Sequence, residues 1–397
     1  MPALHEALLN YNFYYRDAEI EDYLDTTLTK MAEGGIYDQL AGGFARYSTD
    51  KEWLVPHFEK MLYDNAQLIS LYSHAYLITK NEMFKKVVTE SLDFLKKELM
   101  TDQHVFFSAL DADSEGEEGR YYTWSKKEFD RLMLHQPTLI RDYYGINEEG
   151  DLDGRNVLHI NKTKAELAKK YGISSDKIEE ILGEGRKEML RVRKKRREPN
   201  LDNKVITGWN ALTIKAFLDG YRATKKKEYL RVAVECAEFL VSYQMQNDYR
   251  LKRIYIDGES SVNGFLDDYA FLIDALINLY QITFDEKWID WSYKLADYVL
   301  KHFKNSNGPL LNYKSDLDKQ LISPKLDIID SVMPSPNATM AKNLFNLGEY
   351  FHSDSYIRQA REMLFYLKPT IHKSPIYFAK WLELMIGFVY PPYEVAI

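Results

Sequence analysis

The chain has 397 residues, 52 Lys+Arg against 60 Asp+Glu, and a formal net charge of −8, a balance that disfavours broad nucleic-acid binding. Hydrophobic residues make up 45%, which excludes wholesale disorder and supports a large core. The lone cysteine, Cys236, excludes an intrachain disulfide, a cysteine-based zinc site and a two-thiol redox motif.

Apolar residues three and four apart predict amphipathic helices over 2–14, 18–32, 58–78, 83–100, 206–223, 228–246, 266–282, 287–303, 336–352, 355–367 and 376–388. They fall into pairs with similar junctions. Tyr76-x-x-Thr79 is followed by Phe84, Tyr221-x-x-Thr224 by Tyr229 and Tyr280-x-x-Thr283 by Trp288, while Tyr350-x-x-Ser353 before Tyr356 is a shortened version. These junctions have the length of antiparallel helical hairpins. The connections between pairs, 33–57, 101–205, 247–264 and 304–335, are long and irregular. Alternating short and long connectors place all short turns at one end and all long loops at the other, and the uneven spacing of the repeated tyrosines argues against a strict solenoid. Five hairpins and a terminal helix predict an all-α (α/α)6 toroid, with a basin built from loops at one end. Within 101–205, HVFFSALDAD and GRYYTWS predict two strands around an acidic turn, a small β-hairpin lying over the basin. A short helix near 125–135 and a charged helix near 174–197 follow. No Pro- or Ser-rich linker interrupts the chain, so residues 1–397 are expected to form one domain with an insertion at 101–205.

The long loops hold the unusual polar clusters. Arg46 and Tyr47 follow Gly42-Gly43, and Trp53 leads to Pro56-His57-Phe58-Glu59, with Asp64 and Asn65 beyond. Pro56 suits a first helical turn, which would put His57, Lys60 and Asp64 on one face. His57 at the helix mouth is a candidate acid or base, or a brace for the loop, with Glu59 pairing to a basic neighbour. Asp111 and Asp113 open like a calcium loop with Gly116 at position six, but the twelfth residue is Tyr122. A solvated acidic turn, or a lid touching polar ligand groups, fits better. Arg186–Arg197 holds eight Lys/Arg in twelve residues; without interleaved aromatics it reads as a solvated helix face. Asp202, Asn203 and Lys204 lead into Trp209-Asn210, a group suited to stacking a sugar ring and binding its hydroxyls, or to capping a helix. Asp267-Asp268 opens a helix, where anions are favoured; paired acids recur in glycoside chemistry. Ser335 and Asn337 enter the helix at 336. No GxSxG, P-loop or HExxH motif is present.

The strings GGIYDQLAGGFARYSTDKEWLVPHFEKMLYDNAQL, FSALDADSEGEEGRYYTW, GRNVLHI, DNKVITGWNALTIKA and GFLDDYAFLIDAL resemble the spermatogenesis-associated protein 20 family, from about residue 2 to the middle 300s. The resemblance implies a six-hairpin glycosidase-like toroid, similar to that of N-acylglucosamine 2-epimerases, cellobiose 2-epimerases and unsaturated glucuronyl hydrolases. The thioredoxin-like domain of that family is expected to be absent, and its redox function with it. Asn203 stands where the family pattern has Asp, and Pro336 where it has Gly. The epimerases place a His where this chain offers Asp267-Asp268, and His372 is a weak match for their second one. The acidic pair is more similar to the aspartates of the glucuronyl hydrolases.

Two functions are therefore expected to compete. One is a carbohydrate-active enzyme, hydrolase-like or epimerase/isomerase-like, with His57, Asp267 and Asp268 catalytic. Its sugar or glycan would be bound by Arg46, Tyr47, Trp53, Glu59, Asp64, Asn65, Asp111, Asp113, Asp202, Lys204, Trp209, Asn210 and Asn337. The other is a non-catalytic glycan- or protein-binding module partnering a thioredoxin-like protein. Neither needs a cofactor or a metal. With no apolar run of about 18 residues and no signal-peptide pattern at the start, no membrane contact is expected and the location expected is cytoplasmic.

Overall fold

The computed structural model describes residues 1–133, 136–319 and 325–390. Six helices form an inner ring: α1 (Pro2–Tyr15), α3 (Leu62–Thr79), α9 (Thr207–Thr224), α11 (Leu266–Thr283), α13 (Pro336–Tyr350) and α15 (Ala379–Val389). Each packs on the next, and α15 closes onto α1. Five outer helices follow their inner partners: α2 (Ala18–Glu33), α4 (Glu82–Phe94), α10 (Lys227–Phe239), α12 (Glu286–His302) and α14 (Asp354–Lys373). This is the (α/α)6 toroid. Among the described residues no helix is long and apolar enough to cross a membrane.

The two ends of the ring are built by different repeated devices. At the short-turn end, the Tyr carbonyl of each Tyr-x-x-Thr accepts the N–H of a left-handed residue, Lys80, Lys225 or Phe284, at 2.8 Å. The Thr hydroxyl bonds back to the fourth preceding carbonyl at 2.7–2.9 Å, and its oxygen receives the N–H two residues on, which starts the outer helix. The motif therefore both ends one helix and caps the approach to the next.

At the loop end, the chain leaving an outer helix makes a short antiparallel bridge, and the next inner helix grips the returning strand. Asn65 accepts from the Phe44 N–H at 2.7 Å and donates to the Phe44 and Met61 carbonyls at 3.0 Å. Asn210 treats Phe106 in the same way at 2.7 and 3.0 Å, and Asn337 treats Leu311 at 2.8 and 3.0 Å. At the fourth such place Tyr269 Oη accepts from Leu251 N–H at 2.8 Å. All three amides are fully buried, so truncation strands a backbone N–H and two carbonyls. Asn210→Ala is expected to cost about 2–4 kcal/mol, measured as the loss of unfolding free energy in urea.

Four expectations for the loops need correction. The helix expected from residue 58 starts at Leu62 instead: Pro56–His57 (β2) pairs with Tyr47–Ser48 (β1), and Lys60–Met61 (β3) pairs with Ala109–Leu110 (β4). Lys60 is pulled out of helical register because its ammonium, buried, bonds Asp38 at 2.8 Å. The insertion is also not a simple hairpin. Only Asp113–Ser114 (β5) and Glu117–Glu118 (β6) form the tight acidic turn; Gly119–Trp124 holds no strand, and β4 pairs on its other side with Leu201–Asp202 (β7). The insertion also holds four helices, α5 (Lys126–Leu132), α6 (Pro137–Tyr144), α7 (Lys164–Tyr171) and α8 (Ser175–Arg193), around a separate apolar cluster that includes Trp124, Phe129, Leu139, Leu167 and Ile178. Positions 134 and 135 of the expected short helix lie outside the described residues. The basic run is not merely solvated: Arg186 pairs with Glu90 and Arg193 with Asp38 at 2.9 Å, tying insertion to ring, while Arg196 pairs with Glu128 at 2.6 Å within the insertion. The connector 247–264, expected to be irregular, contains the hairpin Lys252–Ile256 (β9) and Glu259–Asn263 (β10), which continues onto Val205–Ile206 (β8).

Candidate functional site

The six inner helices all start at the loop end, so their positive dipole ends face the same mouth. Below it lies a lumen cavity of about 360 Å³ reached by residues of all six, among them Glu6, Gln67, His74, Lys215, Asp274, Thr339, Lys342, Lys380 and Glu383. Its wall is mostly apolar, and the charged side chains are set among Leu and Phe.

Asp64 lies in the first turn of α3, three residues before Gln67 and hence on the same face, just beyond the residues that line the cavity. It is 8% exposed, and its Oδ2 is enclosed without a protein hydrogen-bond partner among the described residues. Burial, helped by Glu59 and opposed by Arg46 and the Met1 ammonium, pushes the carboxyl up from 3.8 to about 8. Arg46 reaches Glu59 Oε2 at 3.2 Å. Tyr63 meets Trp209 edge to face, with ring centroids 4.7 Å apart, and the Trp209 indole nitrogen is likewise buried without a protein partner. The mouth thus gathers Arg46, Glu59, Asp64 and Trp209 from the expected set.

The other expected residues are placed differently. His57 sits on the rim, its Nδ1 2.7 Å from Glu118 Oε1 and its Nε2 3.7 Å from Glu59 Oε2, stacked on exposed Tyr47 at 5.1 Å. It is clamped between two carboxylates and lies on a strand, not on the first turn of α3. Asp268 is fully buried and hydrogen-bonded to structure: its Oδ1 accepts from Gly208 N–H at 2.9 Å, and its Oδ2 accepts from Phe265 N–H at 2.9 Å and Arg253 at 2.7 Å. Asp267 shares the same Arg253 nitrogen at 3.0 Å. Burial and then Asp267 raise the Asp268 carboxyl, against the pull of Arg253. Asn65, Asn210 and Asn337 spend their amides on loop backbone, as described above. Trp53 is pinned at the end of α2, where its carbonyl accepts from Ile36 N–H at 3.1 Å; a Cβ at Gly34 would lie 2.4 Å from that oxygen, which explains the glycine. Asp111 and Asp113 face a separate open depression with Arg197 and Asn200. Asp202 and Lys204 pair with each other at 2.7 Å, half-exposed.

The lumen charges were not expected from sequence. His74 Nδ1 lies 2.9 Å from Glu6 Oε2 and its Nε2 3.4 Å from Asp219 Oδ1. Burial opposes the charge on His74, but Glu6 and Asp219 outweigh it and carry the imidazole up to about 10. It is an imidazolium at neutral pH, a structural cation and not a base. Its ring resonances are therefore expected to stay those of the charged form from pH 6 to 8 in NMR, and Glu6→Gln should bring titration into that range. Since the folded value lies above the ordinary 6.5, the stability from this group is complete below about 6.5 and lost as pH rises through 10. A neutral, titrating His74 in the unmodified protein would refute this.

No protein-family model matches the chain. Mouse spermatogenesis-associated protein 20 is 32% identical over 360 residues, covering 82% of this chain and 46% of that protein; the chain spans about half the length of the relatives it matches. Among solved structures, a family 76 glycoside hydrolase (mannosidase) from Bacteroides thetaiotaomicron superposes with a TM-score of 0.55 at 11% identity, covering 98% of this chain and 85% of that one. Cellobiose 2-epimerase from Spirochaeta thermophila gives 0.51 at 13%, covering 85% and 66%. These structural likenesses establish the toroid. With a sequence match running through the ring helices and the loops at their mouth, the chain belongs to the spermatogenesis-associated protein 20 family.

Proposed function

We propose that the chain is a carbohydrate-active enzyme working at the loop-end mouth of the lumen, with Asp64 as proton donor. The observation that carries this reading is the Asp64 carboxyl: enclosed, with an unpartnered oxygen, pushed up to about 8, and set above a cavity in a fold shared with sugar epimerases and glycoside hydrolases. A carboxyl that keeps its proton at neutral pH is what cleavage of a glycosidic bond asks of its acid. In the hydrolase version, Asp64 gives its proton to the leaving oxygen as the bond to the anomeric carbon breaks. Water adds to that carbon and loses a proton to Glu59, which Arg46 holds in place. Trp209 offers its ring and an unused N–H to the sugar. His57, Asp267 and Asp268 hold the rim and the helix starts in place.

Proton NMR with aldoses, disaccharides and unsaturated uronides in D2O tests this. New reducing-end signals that disappear in Asp64→Asn support hydrolysis, and loss of a C2 proton signal supports epimerisation. Turnover that survives Asp64→Asn removes Asp64 from the chemistry, and no turnover across the panel leaves the binding-module reading ahead.

A further inference from the structure

Below the mouth the lumen divides electrically into two halves. On one side His74 and Arg222 face Glu6 and Asp219, with Arg222 2.8 Å from Asp219, so cations and anions balance. On the other side Lys215 from α9, Lys342 from α13 and Lys380 from α15 gather around Asp274 and Glu383, and buried Asp330 accepts from the Lys380 backbone N–H at 2.9 Å. Lys215 bonds Asp274 at 2.9 Å, while Lys342 and Lys380 share Glu383 Oε2 at 2.8 and 2.9 Å. An ammonium carries three donors, and each of these makes one side-chain hydrogen bond among the described residues, leaving N–H groups to point elsewhere. All five residues border the cavity. Ammonium N–H groups left to spare this far inside the ring are best satisfied when an anion joins them. Burial, and then Lys342 and Lys215, lower the Lys380 ammonium against the pull of Glu383, whereas against burial Asp274 and Glu383 hold Lys215 and Lys342 above the ordinary value.

We infer that the lumen receives the anionic group of its ligand, a carboxylate or phosphate, among Lys215, Lys342 and Lys380, so that the saccharide handled at the mouth is an acidic one. The identification of the ligand as a saccharide rests on the function proposed above; the anion site rests on the lysines alone. The six helix starts at the mouth add to the attraction, and a sugar anchored there by its anion would extend upward towards Asp64.

Calorimetric titration of the unmodified protein at low ionic strength with sodium glucuronate, glucose 1-phosphate and glucose tests this without turnover. Loss of Asp64-dependent catalysis and loss of anion binding are therefore separate results. Glucuronate or glucose 1-phosphate is expected to bind at least about tenfold tighter than glucose, equivalent to about 1.4 kcal/mol, and the tighter of the two identifies the carboxylate or the phosphate as the natural group. Lys342→Met should remove that preference and leave glucose unchanged. Lys342→Arg, which keeps the charge, should retain it, and serves if the methionine variant does not fold. Equal binding of glucose and both anions, no binding of either anion, or a preference that survives Lys342→Met would overturn the inference.

Discussion

Asp64→Asn is expected to abolish turnover while making the protein more stable at neutral pH. The folded state holds a proton on Asp64 up to about pH 8, whereas the unfolded chain releases it near 3.8. Stability from this carboxyl is therefore complete at acid pH and declines as pH rises between these two values, by roughly 1.4 kcal/mol per unit at most. Asparagine has no proton to hold, so the variant escapes the decline. A gain of about 2–4 kcal/mol in unfolding free energy is expected at pH 7.5, and almost none at pH 4. Urea unfolding at both pH values measures it, and the same proton that costs stability should show in kinetics as kcat/KM falling above pH 8. The coupling matters more than either effect alone. A residue kept at a folding disadvantage, in a position where an amide would fit better, is the pattern of a group retained for function. If Asp64→Asn were less stable at pH 7.5, the carboxyl would have an unseen partner and the reading of it as an acid would fail.

The ring was legible in the sequence because its signals are local. Tyr-x-x-Thr specifies one helix end and the next helix start within six residues, and the apolar period of three and four is clear in the outer helices, while inner helices such as α3 and α11 are buried almost all round. The mouth was half legible. Arg46, Glu59, Asp64 and Trp209 stood out as polar or aromatic residues near helix starts, but what separates Asp64 from Asn65 is the direction each side chain takes. Asn65 turns towards the Phe44 backbone and is consumed there; Asp64, its neighbour, faces the mouth. Sequence offered no way to tell an amide that staples a loop from one that binds a sugar, since both use the same atoms. The lumen charges were missed although a signal existed. Lys215 and Asp274 are each the ninth residue of an inner helix, flanked by apolar residues, and opposite charges at the same place in two neighbouring helices suit a pair that faces across the ring. The start of α3 was misplaced for a different reason: Pro56 is compatible with a helix, but pairing of Lys60–Met61 with Ala109–Leu110, distant in sequence, is not encoded locally.

Asp268→Ala is expected to cost about 3–5 kcal/mol of stability, and this result decides what the adjacent acids at the start of α11 are for. A pair of carboxylates there resembles a catalytic dyad in sequence, yet Asp268 is fully buried and its two oxygens serve three donors on different elements. The bond to Gly208 reaches the second residue of α9, so the carboxylate fastens the start of one inner helix to the start of the next. A Cβ on Gly208 would come within 3.1 Å of the same oxygen, which shows how closely the two helices approach. Removing the side chain leaves two backbone N–H groups and the Arg253 guanidinium short of partners, with Asp267 alone to balance that cation. Asp268→Asn keeps the volume and one acceptor, and is expected to recover only part of the loss because its amide N–H₂ faces donors. Asp267→Asn should cost less, about 1 kcal/mol, since Asp267 bonds Arg253 alone. Urea unfolding of the three variants alongside turnover separates the roles. A structural staple lowers stability in the order Ala, Asn at 268, then Asn at 267, with activity per folded molecule retained in Asp267→Asn. A catalytic Asp268 would instead leave the unfolding midpoint of Asp268→Asn near that of the unmodified protein while turnover fell to background. The three donors already facing its oxygens make the first outcome the expected one, because an acid must have an oxygen to spare, as Asp64 does.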